Sequence, residues 1–228
     1  NAPIFNASFV LDKVSIVFYT IINIIGILTI LNSSAYLERM NLSKGEYYSL
    51  LLFSMSGMYL MASSMNLLSI FIALEIMSLS VYILTGMIHK NHASNEAAMK
   101  YFLLGGFASG LFIFGTALIF GTTGSIQLTS IAKAVVDFPV NVNLLGIIGF
   151  GLIVAGFCFK IAAVPFQMWT PDVYEGAPTP ITGFMATAVK AAAFAAFLRV
   201  LTQSFFDLNT TWVDTLCIIS VLTMFVGN

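Results

Sequence analysis

Apolar residues in this chain neither alternate nor gather on one face; they run on for about twenty positions at a time, with polar clusters between the runs. A helix of that length matches the roughly 30 Å hydrocarbon core of a bilayer, and the unbroken runs select helices over the alternating strands of a barrel. Residues 1–13 read as a mixed loop ending in Asp12 and Lys13. The pattern then predicts spans over residues 14–34, the Met-rich 47–63, 67–88 and 97–121. A loop with Glu38, Arg39, Lys44 and Glu46 separates the first two, and the basic loop His89-Lys90-Asn91-His92 precedes the fourth. A connector carrying Lys133, Asp137 and Pro139 leads to a fifth span that starts at Leu144 and is interrupted at Pro165. A sixth covers 181–201, and a seventh begins at Val213. The expected fold is all-α: a single polytopic transmembrane domain over residues 1–228, with about six full helices and the start of another.

Composition narrows the class further. The chain is 59% hydrophobic and 8% charged, with mean hydropathy +0.96, whereas soluble domains carry about 25% charged residues. It cannot clothe a globular surface in polar groups, so the lipid bilayer is its partner. A net charge of −1 gives no footprint for nucleic acid. Arg39, Lys44 and Lys90 would lie on one side of the membrane, and Lys13, Lys133 and Arg199 on the other, so basic-residue bias leaves the orientation open. No basic n-region precedes a short apolar core, which argues against a cleavable signal peptide. The chain opens at Asn1 and stops inside an apolar run, and the expectation is a piece of a longer protein. Cys158 and Cys217 sit in apolar segments and read as small buried hydrophobes rather than a disulfide or metal pair. Gly106, Gly110, Gly146, Gly149, Gly151 and Gly156 read as helix-packing positions, since no strand precedes them to make a phosphate loop.

Ionisable residues inside the apolar runs are the candidates for chemistry, because each costs about 2.5–3.5 kcal/mol at the bilayer centre. Glu75 lies near the middle of its run, and Ser78 and Tyr82 extend a narrow polar stripe at helical spacing. A protonated Glu75 merely tying two helices together is the bland alternative. Lys160 closes a long apolar run and shares a face with Gly149, Ile153, Gly156 and Phe157. Five residues on, Pro165 cannot donate to the Ile161 carbonyl, which predicts a break there. Broken helices at membrane depth line protein-walled or hydrated cavities; a snorkelling interfacial lysine is the alternative. Lys190 sits about ten residues inside the sixth run, beyond the reach of a lysine stem to either surface, so burial disfavours its charged form, as a proton carrier requires. A fixed ion pair is the alternative there. Lys100 follows Glu96 by four residues and fits either an interfacial pair or a pathway. Trp169 reads as an aromatic-belt anchor, and His89 and His92 as solvated loop residues. With no nucleophile–base pair or metal cluster, no catalytic, cofactor or metal site is expected. The residues favour proton translocation or proton-coupled transport.

The stretch FKIAAVPFQMWTPDVYEGAPTPITGF from Phe159, followed by ATAVKAAAFAAFLR, together with LLSIFIALEIMSLSVYIL and EAAMKYFLLGGFASGLFIFGTALIFGTTGS, resembles the subunit N family of NADH-quinone oxidoreductase, respiratory complex I. Related Mrp-type antiporter subunits share the buried Glu and lysines but differ after the broken helix. The resemblance implies an interior piece of an antiporter-like inverted-repeat fold of about fourteen helices, with the broken helix between Lys160 and Pro165. It further implies a proton pathway through Glu75, Lys100, Lys160 and Lys190, with Glu75 ion-paired to Lys160. The broken-helix and loop motif would comprise Pro165, Trp169, Pro171, Asp172, Glu175, Gly176 and Pro178, with the turn Asp172–Pro178 facing the cytoplasm of a bacterial plasma membrane. Other membrane-arm subunits would be the partners, and NADH, FMN, iron–sulfur clusters and quinone would belong to other subunits. A second lysine-bearing half would lie beyond Asn228. Gln167 stands where the family carries His, which removes a titratable group from the motif. The competing readings are a cation/proton antiporter subunit without redox coupling and a purely structural membrane-arm subunit.

Overall fold

A computed structural model describes residues 3–5, 7–40, 42, 44–137, 144–206 and 209–227; Pro139 lies outside them. A short antiparallel ribbon, rather than a plain loop, precedes the first helix, β1 (Pro3–Ile4) pairing with β2 (Phe9–Val10). The helices are α1 (Lys13–Met40), α2 (Lys44–Ser63), α3 (Leu67–Thr85), α4 (His92–Thr123), α5 (Leu128–Asp137), α6 (Leu144–Ile161), α7 (Thr170–Gly176), α8 (Thr179–Phe184), α9 (Lys190–Ser204) and α10 (Asn209–Gly227). A single wide π-turn, Met185–Val189, joins α8 to α9. Among the described residues, α1, α3, α4, α6 and the continuous Thr179–Ser204 segment are long and apolar enough to cross a membrane. The protein is an integral, multi-pass membrane protein. Diluted by Ser, Tyr and Gly, α2 is not one of those five, although its 20 residues match the thickness of a bilayer.

Two helices run longer than the apolar pattern predicts. Glu38 and Arg39 fall in the last turn of α1, and α4 starts at His92 because Asn91 caps it, its side chain accepting from the Ala93 N–H. The connector after α4 is not bare either. Leu128, Ile131 and Val135, at helical spacing, bury one face of α5.

Small residues set how closely the helices approach. At Gly57 a Cβ would come within 2.7 Å of the Ala73 carbonyl oxygen, and between α4 and α6 Gly115 and Gly149 face each other backbone to backbone. Gly156 lies against Phe112 on the same seam. By contrast Gly106, Gly110 and Gly151 meet open space among the described residues, so the expectation of packing fails for them. Cys158 is buried as expected, but Cys217 is exposed on α10.

One end of the bundle is knitted by backbone bonds. Met65 donates to Ser8, Leu67 to Ile126 and Leu128 to Met65, which joins the ribbon, the α2–α3 link and the start of α5. Arg199 completes this end. It is 5% exposed and donates through both terminal nitrogens to Asp12 at 2.9 Å, to Ser15 Oγ at 3.0 Å and to the Ala62 carbonyl at 2.9 Å. Asp12 in turn caps α1, accepting from the Ser15 N–H at 2.8 Å. The guanidinium hydrogen bonds hold the Asp12 carboxyl well below the usual carboxylate range.

Candidate functional site

The break in the fifth span is built three residues before the proline that predicts it. α6 ends in a Schellman turn: Ala162 takes φ 59°, Ala163 N–H donates to Cys158 O at 2.8 Å and Ala162 N–H to Phe159 O at 3.1 Å. A non-glycine residue in the left-handed region costs roughly 1–2 kcal/mol. Two side chains, one a donor and one an acceptor, serve the freed backbone. Trp169 Nε1 reaches Phe159 O at 3.1 Å, and Val164 N–H donates to Thr223 Oγ1 of α10 at 3.0 Å.

Lys160 therefore occupies the last turn of α6, where the helix dipole favours a cation. It is 2% exposed, so it is not a snorkelling residue. Its ammonium donates to Ser78 Oγ at 2.8 Å and to the Tyr82 hydroxyl at 3.0 Å, and lies 5.4 Å from the Tyr82 ring centroid and 5.7 Å from that of Phe159. The stripe on α3 is thus the wall of the Lys160 pocket. Gly105 of α4 makes the room, since a Cβ there would collide with the Tyr82 hydroxyl.

The expected Glu75–Lys160 ion pair is not formed. Ser109 of α4 donates to Glu75 Oε1, and among the described residues no Lys160–carboxylate contact lies within 4.0 Å. Ser109 is a contact that sequence alone did not single out. Its place four residues after Gly105, on the α4 face that meets α3, was the available signal.

Lys100 is half-exposed among the described residues. It sits near the exposed start of α4 and pairs with Asp172 Oδ2 at 2.5 Å and Glu96 Oε1 at 2.7 Å. Glu175 joins these three around a surface cavity of about 200 Å³. Pro171 starts α7, Pro178 precedes α8, and Gly176 is pressed so closely onto Ala93 and Ala97 of α4 that no Cβ fits. Trp169, read as a belt anchor, is 3% exposed. It stacks on Tyr101 at 4.5 Å, with Phe159 and Tyr174 against its other sides at 5.4 and 6.0 Å. A wall of aromatic rings thus stands beside the Lys160 pocket.

Lys190 is half-buried at the exit of the π-turn, its ammonium 5.7 Å from the centroid of the Tyr174 ring. Among the described residues no carboxylate lies within 4.0 Å of it. Burial raises the Tyr174 phenol above its ordinary value, so it stays protonated. Among the described residues, Gln167 Oε1, Thr170 Oγ1 and the Tyr174 hydroxyl are buried without a hydrogen-bond partner. No group of three His, Cys, Asp or Glu that could hold a metal occurs among the described residues.

With this geometry in hand, comparison with known proteins is specific. The profile of the NADH:quinone oxidoreductase/Mrp antiporter transmembrane family matches residues 64–228. NADH-quinone oxidoreductase subunit N of Trichlorobacter lovleyi is 48% identical over 98% of this chain and 46% of that protein. A chain of respiratory complex I from Thermus thermophilus superposes with TM-score 0.71 at 40% identity, over 86% of this chain and 42% of that one. A chain of the Mrp complex from a Dietzia species shares the fold, with TM-score 0.74 at 22% identity over 96% of this chain and 40% of that one. The chain spans about half the length of the curated relatives it matches.

Proposed function

The chain belongs to the NADH:quinone oxidoreductase/Mrp antiporter transmembrane family, and from that premise we propose that it is the proton-handling half of a membrane-arm subunit of NADH-quinone oxidoreductase. In this reading it takes part in an enzyme complex without redox chemistry of its own. NADH, FMN, the iron–sulfur clusters and quinone belong to other subunits, and the neighbouring membrane-arm subunits of a bacterial plasma membrane are its partners. Quinone reduction elsewhere drives protons through the side chains described above.

The observation that carries this reading is the solvation of Lys160. A cation 2% exposed with two neutral hydroxyl partners is held, but not neutralised. Glu75 lies one helical turn from Ser78, on the same face of α3. If Glu75 leaves Ser109 for the ammonium, unit charges about 4 Å apart gain roughly 4 kcal/mol at an effective dielectric of about 20. In this reading that difference is the switch, and the arrangement with Glu75 turned to Ser109 is its unpaired arm. Glu96, Lys100, Asp172 and Glu175 form the polar mouth on the loop side, and Lys190 is the next acceptor. Orientation follows the family expectation, with that mouth on the cytoplasmic side.

The test is a Lys160→Ala exchange in the full subunit, assembled in the whole complex and reconstituted into vesicles. Proton uptake per electron should fall while quinone reduction continues. A complex that reduces quinone and pumps at the undiminished ratio would sink the proposal.

A further inference from the structure

A succession of ring contacts links Lys160 to Lys190, from the Tyr82 ring beside the first to the Tyr174 ring beside the second. Tyr82 meets Tyr101 edge-on at 4.6 Å, Tyr101 stacks on Trp169, and Trp169 meets Tyr174 edge-on. The Trp169 N–H is already spent on the Phe159 carbonyl, so the indole cannot pass a proton. The orphaned polar atoms lie on the segment that carries Trp169 and Tyr174. Gln167 Oε1, Thr170 Oγ1 and the Tyr174 hydroxyl have no partner although they are buried, and such atoms in native proteins are satisfied by ordered water. Thr170 and Tyr174 are one turn apart on α7, so their hydroxyls share a side of it. Gln167 is tied to the same turn, its carbonyl accepting from the Thr170 N–H at 2.9 Å. At the far end, the ring of Tyr174 is the surface on which the Lys190 ammonium rests.

We propose that Tyr174, with Thr170 and Gln167, binds a short file of water and relays the proton from Lys160 to Lys190. This deepens the proton-handling reading above and rests on it. The transfer balances without a redox step. One N–H bond of the Lys160 ammonium breaks, each water oxygen and the Tyr174 oxygen gains one proton and gives up another, and one N–H bond forms at Lys190. Gln167 does not titrate; its side-chain oxygen accepts from water and orients the file. The role assigned to Tyr174 belongs to its hydroxyl, whereas its contact with Lys190 belongs to its ring, and the two are separable by one atom.

The experiment uses the whole complex in vesicles, with proton-to-electron ratio and its pH profile as readouts. Tyr174→Phe keeps the ring under Lys190 and removes the hydroxyl. It should lower the ratio as far as Lys190→Ala does, with assembly and quinone reduction retained. Thr170→Val should lower the ratio, and Thr170→Ser should restore it, which a merely structural role would not predict; this pair decides the matter if Tyr174→Phe assembles poorly. A normal ratio and pH profile in Tyr174→Phe, beside a lowered ratio in Lys190→Ala, overturns the relay and leaves the proton-handling reading standing. Equal ratios in Thr170→Val and Thr170→Ser likewise overturn it. A normal ratio in Lys190→Ala as well overturns both.

Discussion

Arg199 and Lys160 are both cations almost sealed from solvent, and they are solvated in opposite ways. Arg199 has a carboxylate in bidentate contact, a backbone carbonyl and a hydroxyl, so its charge is matched and its geometry fixed. Lys160 has two hydroxyls and aromatic faces, with Glu75, the carboxylate expected to pair with it, bonded to Ser109. The first arrangement ties α9 to the N-terminal ribbon and to the end of α2. The second leaves a buried ammonium held by neutral partners alone. A saturated partner set makes a clamp, and the unsaturated one is the arrangement that the proposed switch requires.

Removing the clamp should have the largest effect on stability. Asp12→Asn leaves Arg199 buried and unmatched, and a broken buried pair costs about 3–5 kcal/mol. Thermal unfolding of the assembled complex should show it, while the proton-to-electron ratio of the surviving fraction stays normal. The pH dependence follows from the lowered Asp12 value. Its contribution is complete above the unfolded carboxylate value of about 3.9 and is lost as pH falls through the still lower folded value. The stability gap between wild type and Asp12→Asn should therefore hold constant from about pH 7 to pH 5 and close only below about pH 4. A gap that narrows already between neutral pH and 5 would contradict the assignment.

A smaller effect is expected at the switch. Gly105→Ala forces the Tyr82 hydroxyl away from Lys160, and overpacking of this kind costs about 1–3 kcal/mol. Pumping should fall with it. Gly106→Ala, which meets open space, is the matched control and should change neither quantity. The smallest effect belongs to the exposed mouth. Lys100→Ala removes two solvent-screened pairs, so the melting temperature should not move measurably, and any loss of pumping rate should shrink at high salt.

The sequence already carried the membrane class, the span order and the costly charges Glu75, Lys160 and Lys190, because long apolar runs leave little freedom of interpretation. The partners of those charges were less legible. Arg199 read only as one of the cations on one side of the membrane, since nothing local links it to Asp12, although Asp12 followed three residues later by Ser15 was a readable cap. Trp169 looked like a membrane-surface residue because a lone tryptophan carries no sign of the rings that will enclose it. Whether Glu75 bonds to Lys160 or to Ser109 is a side-chain choice below anything spacing can encode. The α5 helix was readable, since Leu128, Ile131 and Val135 keep helical period within a connector otherwise rich in polar residues.

The wide turn at Met185–Val189 has a further consequence. A π-turn is one residue more than an α-turn needs, and each residue in a helix is worth about 100° of rotation. Everything after position 189 is therefore phased by a single surplus residue. Were that residue absent, the helix would still cross the bilayer, but Lys190 would point to a different neighbour from Tyr174. The compass bearing of the amine, as distinct from its depth, is set by a count of one.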